Sequence, residues 1–227
     1  MPNYFGYGLN DRKLGKQDEL ADFMRFIEDV ENTPGVDYIA LVCGFWYEFS
    51  LAMGERWLGF RIRERSLTMY DDGNKKISMS TWDACGKAVA GLLSLPVQAD
   101  GEKSVVGLET WRNEGLYISS FLLSQRDILE SLHRVLGTTD QDWKITYEPV
   151  EKRLEDGKKE FKEGKMLGFA KALYAEVFAR EWSDYETGRE LDNGKVGLEK
   201  EDLDEATRRA VEMAMGPMGE IEGKFSK

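Results

Sequence analysis

Residues 16–31 carry apolar side chains at three- and four-residue steps, a spacing that places them on one face of an amphipathic helix. Pro34 and Gly35 end this pattern. The segment 37–43 that follows is short, nearly continuously apolar and bounded by helix-breaking residues, as is typical of a parallel strand buried on both faces. A helix that leads into such a strand indicates α/β architecture.

The same periodicities predict further elements along the chain. One helix begins at Ser80 or Thr81 and stops before Pro96, and another opens at the capping pair Ser124 and Asp127. Strands are predicted over 115–119 and 142–148, and helices over 149–162, 165–180 and 200–216. Strands and helices therefore alternate over most of the chain.

Three other features concern turns, loops and domain division. Residues 66–70 and 75–78 flank the turn-forming segment Asp71-Asp72-Gly73-Asn74, a pattern that favours a β-hairpin. The acidic, aromatic stretch 181–195 is predicted to form either a loop over the surface or a lid. No long linker is present, so we place only a soft division near Gly44.

Composition narrows the classes of partner. With 227 residues, 41% of them apolar, the chain has enough material for a substantial core. Its formal net charge of -11 repels phosphate backbones and anionic lipid, so we expect neither nucleic acid nor membrane as a partner. We expect a cytoplasmic protein, because no apolar run approaches the roughly 20 residues of a membrane span.

Metal and thiol chemistry have little support in the sequence. Cys43 and Cys85 are the only cysteines, and we interpret both as small buried residues in preference to reactive thiols. His133 is the only histidine, so a zinc site with two histidines or a histidine-dependent triad needs another chain. We therefore expect no metal.

The glycine-rich turn that grips a dinucleotide is absent from the sequence. Such a turn follows a strand and opens a helix, so that backbone N–H groups meet the pyrophosphate. The only G-x-G is Gly6-Tyr7-Gly8, which has no strand before it and Asp11 where the third glycine would fall. The residues alone predict a soluble α/β domain and no particular chemistry.

Several segments resemble one protein family. The opening Pro2-Asn3-Tyr4-Phe5-Gly6 is similar to the Pro-Ser/Asn-Glu-Phe/Tyr-Gly loop that follows the fifth Rossmann strand in NmrA-like and isoflavone-reductase-like proteins, with Tyr4 in place of the glutamate. Segments 43–51, 70–73, 80–96, 117–127 and 142–148 resemble a filamentous-fungal branch of that family. The resemblance runs over nearly the whole chain.

This resemblance implies a fold and a division of the chain. The family has an NAD(P)-binding Rossmann domain, related to the extended short-chain dehydrogenases, and a smaller α+β substrate domain. By this comparison the chain is the C-terminal part of such a fold, with the residual end of the Rossmann domain over 1–44 and the substrate-side domain over 45–227. The strands that carry the glycine fingerprint are then missing, and we expect impaired cofactor binding.

The resemblance also assigns residues to the cofactor. NADP or NAD would contact the first loop through Pro2, Asn3, Phe5 and Gly6. The family's reductases carry a lysine on the helix before the strand over 37–43, but Leu20 and Asp22 occupy the matching positions here. Lys16, about a turn earlier, is a weak catalytic candidate, and we favour its interpretation as an exposed residue at a helix start.

The segment after that strand lines the family's substrate pocket. Here it supplies Gly44, Phe45, Trp46 and Tyr47, whose aromatic rings would sandwich a flat ligand. The alternative is that these rings pack the junction between the sheet and the C-terminal helices. We weigh the two interpretations equally for each residue.

Three functions stay open at this point. The first is an NAD(P)H-dependent reductase of a small molecule. The second is a non-catalytic NAD(P)-sensing or scaffold regulator of NmrA type. The third is a truncated, inactive product whose open sheet edge would pair with a partner chain.

Overall fold

The computed structural model describes residues 2–3, 28–99 and 106–220. The strands are β1 Pro2–Asn3, β2 Ile39–Val42, β3 Phe45–Trp46, β4 Phe60–Arg61, β5 Ser66–Tyr70, β6 Ile77–Ser80, β7 Glu114–Tyr117, β8 Phe121–Leu123 and β9 Lys144–Glu148. The α-helices are α1 Tyr47–Ala52, α2 Glu55–Leu58, α3 Trp82–Leu93, α4 Gln125–Leu136, α5 Val150–Lys162, α6 Leu167–Ala179 and α7 Leu203–Met215. Of the helix predicted over 16–31, only residues 28–31 are described, and they are helical.

The first sheet is parallel and has the order β1-β2-β7. Leu41 of β2 lies opposite Pro2 of β1 on one side and Leu116 of β7 on the other. Ala40, Leu41 and Val42 are buried, as the apolar run over 37–43 predicted. The α/β fold class is therefore confirmed.

The outer edge of β7 is covered by the segment predicted to be a loop or a lid. Asp192 and Tyr117 pair through two hydrogen bonds, Tyr117 N–H to Asp192 Oδ2 at 2.9 Å and Asp192 N–H to the Tyr117 carbonyl at 2.8 Å. Asn193 accepts from Ser119 N–H at 3.1 Å and donates to the Ser119 carbonyl at 2.7 Å. This anchoring favours a surface loop over a lid.

The other two sheets mix strand directions. In one, β6 lies between β3, to which it is parallel, and β8, to which it is antiparallel. In the other, β5 lies between the antiparallel β4 and the parallel β9. The first sheet takes its third strand from residues 114–117, so it contains residues from both sides of Gly44; the division at Gly44 stays a prediction.

The predicted hairpin between 66–70 and 75–78 is wrong. Strands β5 and β6 belong to different sheets, because both edges of β5 are already occupied. One edge pairs with β9, and the pairing continues as Asp71 N–H donates to the Glu148 carbonyl at 3.0 Å. On the other edge the Gln125 side chain accepts from Tyr70 N–H at 2.7 Å and donates to the Thr68 carbonyl at 2.9 Å, so it extends β4 by side-chain bonds.

Helix starts follow the capping signals. Ser124 and Asp127 form a capping box at α4, and Thr81 accepts from Ala84 N–H at 3.0 Å at the start of α3. Pro149 is the N-cap of α5. In the described segments no helix is long and apolar enough to cross a membrane.

A buried arginine joins the elements around the third sheet. Arg153 of α5 is 1% exposed. Its Nη1 donates to Glu55 Oε1 at 2.6 Å and to Glu148 Oε2 at 2.9 Å, and its Nη2 donates to the Glu55 carbonyl at 2.8 Å. The guanidinium also lies 4.6 Å from the centre of the Tyr70 ring. One side chain thereby connects α2, β5, β9 and α5.

We expect Arg153→Met to lower the free energy of unfolding by about 3 kcal/mol, because it removes the buried cation that binds Glu55 and Glu148. The measurement is urea unfolding followed by circular dichroism. The control is Lys165→Met, where the side chain is 63% exposed and pairs with Glu163 at 2.8 Å. Exposed pairs of this kind contribute little, so the control should leave the unfolding midpoint unchanged. Equal midpoints for the two variants would contradict the role given to Arg153.

Candidate functional site

The candidate site lies where β2 and β7 end. In parallel α/β sheets, ligands bind at the carboxyl ends of the strands. Residues 43–44 follow β2 there, and residues 118–120 follow β7. The two strand ends are tied together, since Ile118 N–H donates to the Val42 carbonyl at 2.9 Å.

Gly44 brings the end of the first sheet against the second sheet. Its φ is +59°, in the left-handed region, and a Cβ placed on it would lie 2.1 Å from the Ser78 carbonyl oxygen. No real Cβ approaches a carbonyl oxygen so closely, so only glycine permits this contact. The close approach accounts for the residue type at Gly44.

Phe45 and Tyr47 point into the main core. Phe45 is 4% exposed and stacks on Tyr174, with ring centres 4.0 Å apart and planes within 7°. Tyr47 is fully buried, and its hydroxyl hydrogen-bonds Thr207 Oγ1 at 2.7 Å. Burial raises the pKa of Tyr47, although the bond to Thr207 works against this. Both rings therefore have packing roles, while their contact with substrate stays a prediction.

Trp46 lies on the opposite side of the strand and forms an aromatic patch with Phe49 and Trp82. Its ring meets Phe49 at 6.2 Å and Trp82 at 6.1 Å, edge to face in both cases. Trp46 and Phe49 are half-buried, and Trp82 is 42% exposed. Among the aromatic residues predicted to line the substrate pocket, Trp46 is thus one that is partly exposed to solvent.

A charged network lies beside this aromatic patch. Glu48 of α1 is buried, and its Oε1 accepts from Arg209 Nε at 3.1 Å and Nη2 at 3.0 Å. Its Oε2 accepts from Trp82 N–H at 3.3 Å. Glu201 approaches Arg209 at 3.8 Å and accepts from Thr81 Oγ1 at 2.9 Å. The network fixes the start of α3 against α1 and α7.

A polar cleft of about 450 Å³ opens on the solvent side of this network. Its lining comes from the start of α3, the segment 197–202 and α7. Lys87 and Arg209 face several carboxylates there, which are Asp83, Glu199, Glu201, Asp202 and Glu205. Among the residues the structure describes, no group of three or more His, Cys, Asp or Glu side chains is arranged to hold a metal ion.

The predicted cofactor residues are only partly described. Pro2 and Asn3 form β1 and pair with Leu41 and Val42 of β2. Phe5, Gly6 and Lys16 lie outside the described residues, as does the Gly6-Tyr7-Gly8 motif. Their assigned roles stay predictions.

The structure brings together two residues that no sequence pattern pairs. Cys43 follows β2 and Cys85 lies in α3, yet both pack in the small core beneath the junction, and each thiol shifts the pKa of the other. Cys43 and Cys85 are far apart in the sequence and no motif joins them, so only the fold reveals their contact.

Comparison with curated proteins finds fungal oxidoreductases. The chain is 23% identical to "Oxidoreductase aprR" of Aspergillus flavus over 199 residues, which cover 82% of this chain and 60% of that protein. It is 24% identical to "Oxidoreductase poxI" of Penicillium oxalicum over 163 residues, which cover 69% of this chain and 46% of that protein. No protein-family model matches the chain.

Solved structures share its architecture. A nucleoside-diphosphate-sugar epimerase from Staphylococcus aureus has a TM-score of 0.57 at 16% identity, with 91% of this chain and 63% of that chain covered. An NADPH-dependent quinone oxidoreductase from Escherichia coli also scores 0.57, at 15% identity over 92% of this chain and 66% of that one. An isoflavone reductase has a TM-score of 0.54 at 17% identity, with 84% of this chain and 56% of that chain covered.

This chain has the fold of isoflavone reductase and of the NADPH-dependent quinone oxidoreductase. The family resemblance is thereby confirmed at the level of the fold. The chain spans 60% and 46% of the lengths of the two curated relatives above, so what those whole proteins do comes to it only as a proposal.

We expect Gly44→Ala to lower the free energy of unfolding by at least about 3 kcal/mol or to prevent folding, because it adds a severe overlap to left-handed backbone strain. The control is Gly35→Ala, since Gly35 also has a positive φ, +77°, but a Cβ added there would meet nothing within 4 Å. This control should cost only about 1–2 kcal/mol from backbone strain. Urea unfolding of both variants measures the difference, and equal costs would refute the packing requirement at Gly44.

Proposed function

We propose that this chain forms the substrate side of an NADPH-dependent oxidoreductase that acts on a flat small molecule. The observation that carries the proposal is the shared fold: 92% of the chain superimposes on an NADPH-dependent quinone oxidoreductase with a TM-score of 0.57. The sequence likeness to two fungal proteins named oxidoreductases supports the same chemistry.

The cofactor of this proposal is NADP(H), held with its nicotinamide near the first loop. Other structures of this fold are described as complexed with NADPH or with NADP(H). Pro2 and Asn3 form β1 beside β2, and the proposed contacts Phe5 and Gly6 follow them in sequence. The group bound there would supply a hydride, and the residues of this chain would orient it toward the strand ends.

Cofactor affinity is expected to be weak for this chain as it stands. The sequence has no glycine-rich turn of the kind that meets a pyrophosphate with backbone N–H groups. Among the described residues, β1 pairs only with β2. Further strands, from this polypeptide or a partner chain, would add to the other edge of β1 and complete the cofactor side.

The substrate surface of this proposal is the aromatic patch of Trp46, Phe49 and Trp82. Phe45 and Tyr47 are committed to the core, whereas the patch is partly open to solvent and lies next to the strand ends. Aromatic rings of this kind bind flat, apolar ligands by stacking and by burial of their faces. A quinone or an aromatic carbonyl compound fits this chemistry.

The first test measures NADPH and NADP⁺ binding by calorimetry, and NADPH oxidation by absorbance, on the purified chain with a panel of quinones and aromatic carbonyls. We expect dissociation constants on the order of 1 mM, about −4 kcal/mol, together with slow oxidation that requires a panel member. Binding of both nucleotides without turnover would instead favour a non-catalytic regulator of NmrA type. Absence of any binding would show that this chain alone is not the enzyme.

The second test examines the aromatic patch. We expect Trp82→Ala to weaken the binding of a panel quinone about tenfold, because one stacking partner is worth up to about 1.5 kcal/mol. The control is Val89→Ala, an equally exposed apolar residue on the same helix. The control should leave affinity unchanged, as measured by quenching of tryptophan fluorescence in both variants. Equal affinities for the two variants would show that the substrate does not bind at the aromatic patch.

A further inference from the structure

The two cysteines of the chain meet at the junction between the first two sheets. Cys43 is 1% exposed and directly precedes Gly44, while Cys85 is half-buried in the first turns of α3. They are the only cysteines in the sequence. Both pack in the same small apolar cluster, which also contains the half-buried Trp46. A pair of thiols therefore lies behind the aromatic patch.

The two thiols are not equivalent. The neighbouring Cys85 thiol, together with burial, raises the pKa of Cys43 well above its usual range, so Cys43 keeps its proton, and its Sγ donates to the Gly44 carbonyl at 3.8 Å. The Cys43 thiol in turn lowers the pKa of Cys85, with a smaller contribution from the Trp46 side chain. Burial and the carboxylates of Glu48 and Glu201 act in the opposite direction, but the net shift of the Cys85 pKa is downward.

This asymmetry matches the requirements of a two-cysteine oxidation site. The attacked thiol needs access to solvent and a readily formed thiolate, and reactive cysteines meet both conditions. The resolving thiol needs only to lie within reach of the first sulfur. Cys85 has the access and the lowered pKa, and Cys43 is the protonated partner that contacts it.

We propose that Cys85 and Cys43 form a peroxide-reactive thiol pair, in which Cys85 is the attacked thiol and Cys43 resolves it to a disulfide. The oxidant is hydrogen peroxide. This modification is independent of the proposed reductase activity, because neither sulfur takes part in hydride transfer.

The chemistry has two steps. The Cys85 thiolate attacks one oxygen of hydrogen peroxide, the O–O bond breaks, and Cys85 becomes a sulfenic acid while hydroxide leaves and is protonated to water. The Cys43 sulfur then attacks the Cys85 sulfur, the S–O bond breaks, and the oxygen leaves as a second water with the proton of the Cys43 thiol. The two sulfurs together lose two electrons, and the peroxide gains them.

A metal clip is the competing use of a thiol pair. Zinc and related ions need three or four ligands in such sites. In the described segments no third His, Cys, Asp or Glu side chain completes a cluster with these two. The geometry therefore favours oxidation over metal binding.

The test treats the full chain with hydrogen peroxide, alkylates the remaining thiols under denaturing conditions and measures the intact mass. We expect the wild-type protein to lose two hydrogen atoms and to take up no alkyl group, with reversal by a thiol reductant. Non-reducing peptide mapping should link the peptides that contain Cys43 and Cys85.

Two conservative variants separate the roles of the two sulfurs. In Cys43→Ser, Cys85 should form a sulfenic acid that a dimedone probe traps, because the resolving thiol is gone. In Cys85→Ser, the buried Cys43 should react with peroxide on the order of tenfold more slowly than Cys85 does in the wild type. Wild-type protein that stays fully alkylatable after peroxide, or a Cys85→Ser variant that oxidises as fast as the wild type, would overturn the proposal.

Discussion

The contact between the backbone of Gly44 and the Ser78 carbonyl sets the arrangement of everything around the candidate site. A Cβ at Gly44 would lie 2.1 Å from that oxygen, so the chain leaves β2 and enters β3 only because no side chain is present. This turn places Cys43 beneath the junction. It also directs the next residues alternately toward the core and toward the start of α3.

That alternation explains why a run of aromatic residues serves two purposes. Phe45 and Tyr47 meet α6 and α7 in the core, through Tyr174 and Thr207, whereas Trp46 turns the other way to meet Trp82. The sequence supports both interpretations of the run, a substrate surface and a packed junction. The fold separates the two roles by residue, because Phe45 and Trp46 are neighbours on β3 and point to opposite sides. Tyr47, the first residue of α1, is buried in the core again.

The sequence predicted correctly those interactions that join residues close together in the chain. The capping box of Ser124 and Asp127 and the cap at Thr81 involve residues three apart, so the pattern contains the whole interaction. The predicted hairpin failed because the edge of β5 is taken by Gln125, which lies 55 positions from Tyr70 in the chain. The contact of Cys43 with Cys85 and the hydrogen bonds of the buried Arg153 also join residues that are far apart in the chain. Sequence patterns suggest that a charged residue such as Arg153 is exposed to solvent, whereas the fold buries it.

We propose the ends of β2 and β7 as the substrate side of the reductase, with the aromatic patch as its contact surface. The chain has six tryptophans, and two-dimensional NMR resolves their indole N–H groups, so each reports its own surroundings. The most direct measurement is a titration of the ¹⁵N-labelled chain with a flat quinone. We expect shifts of the Trp46 and Trp82 signals, with those of the buried residues Trp57, Trp111 and Trp143 unchanged. Shifts confined to other signals, or no shifts at all, would contradict a substrate surface at the patch.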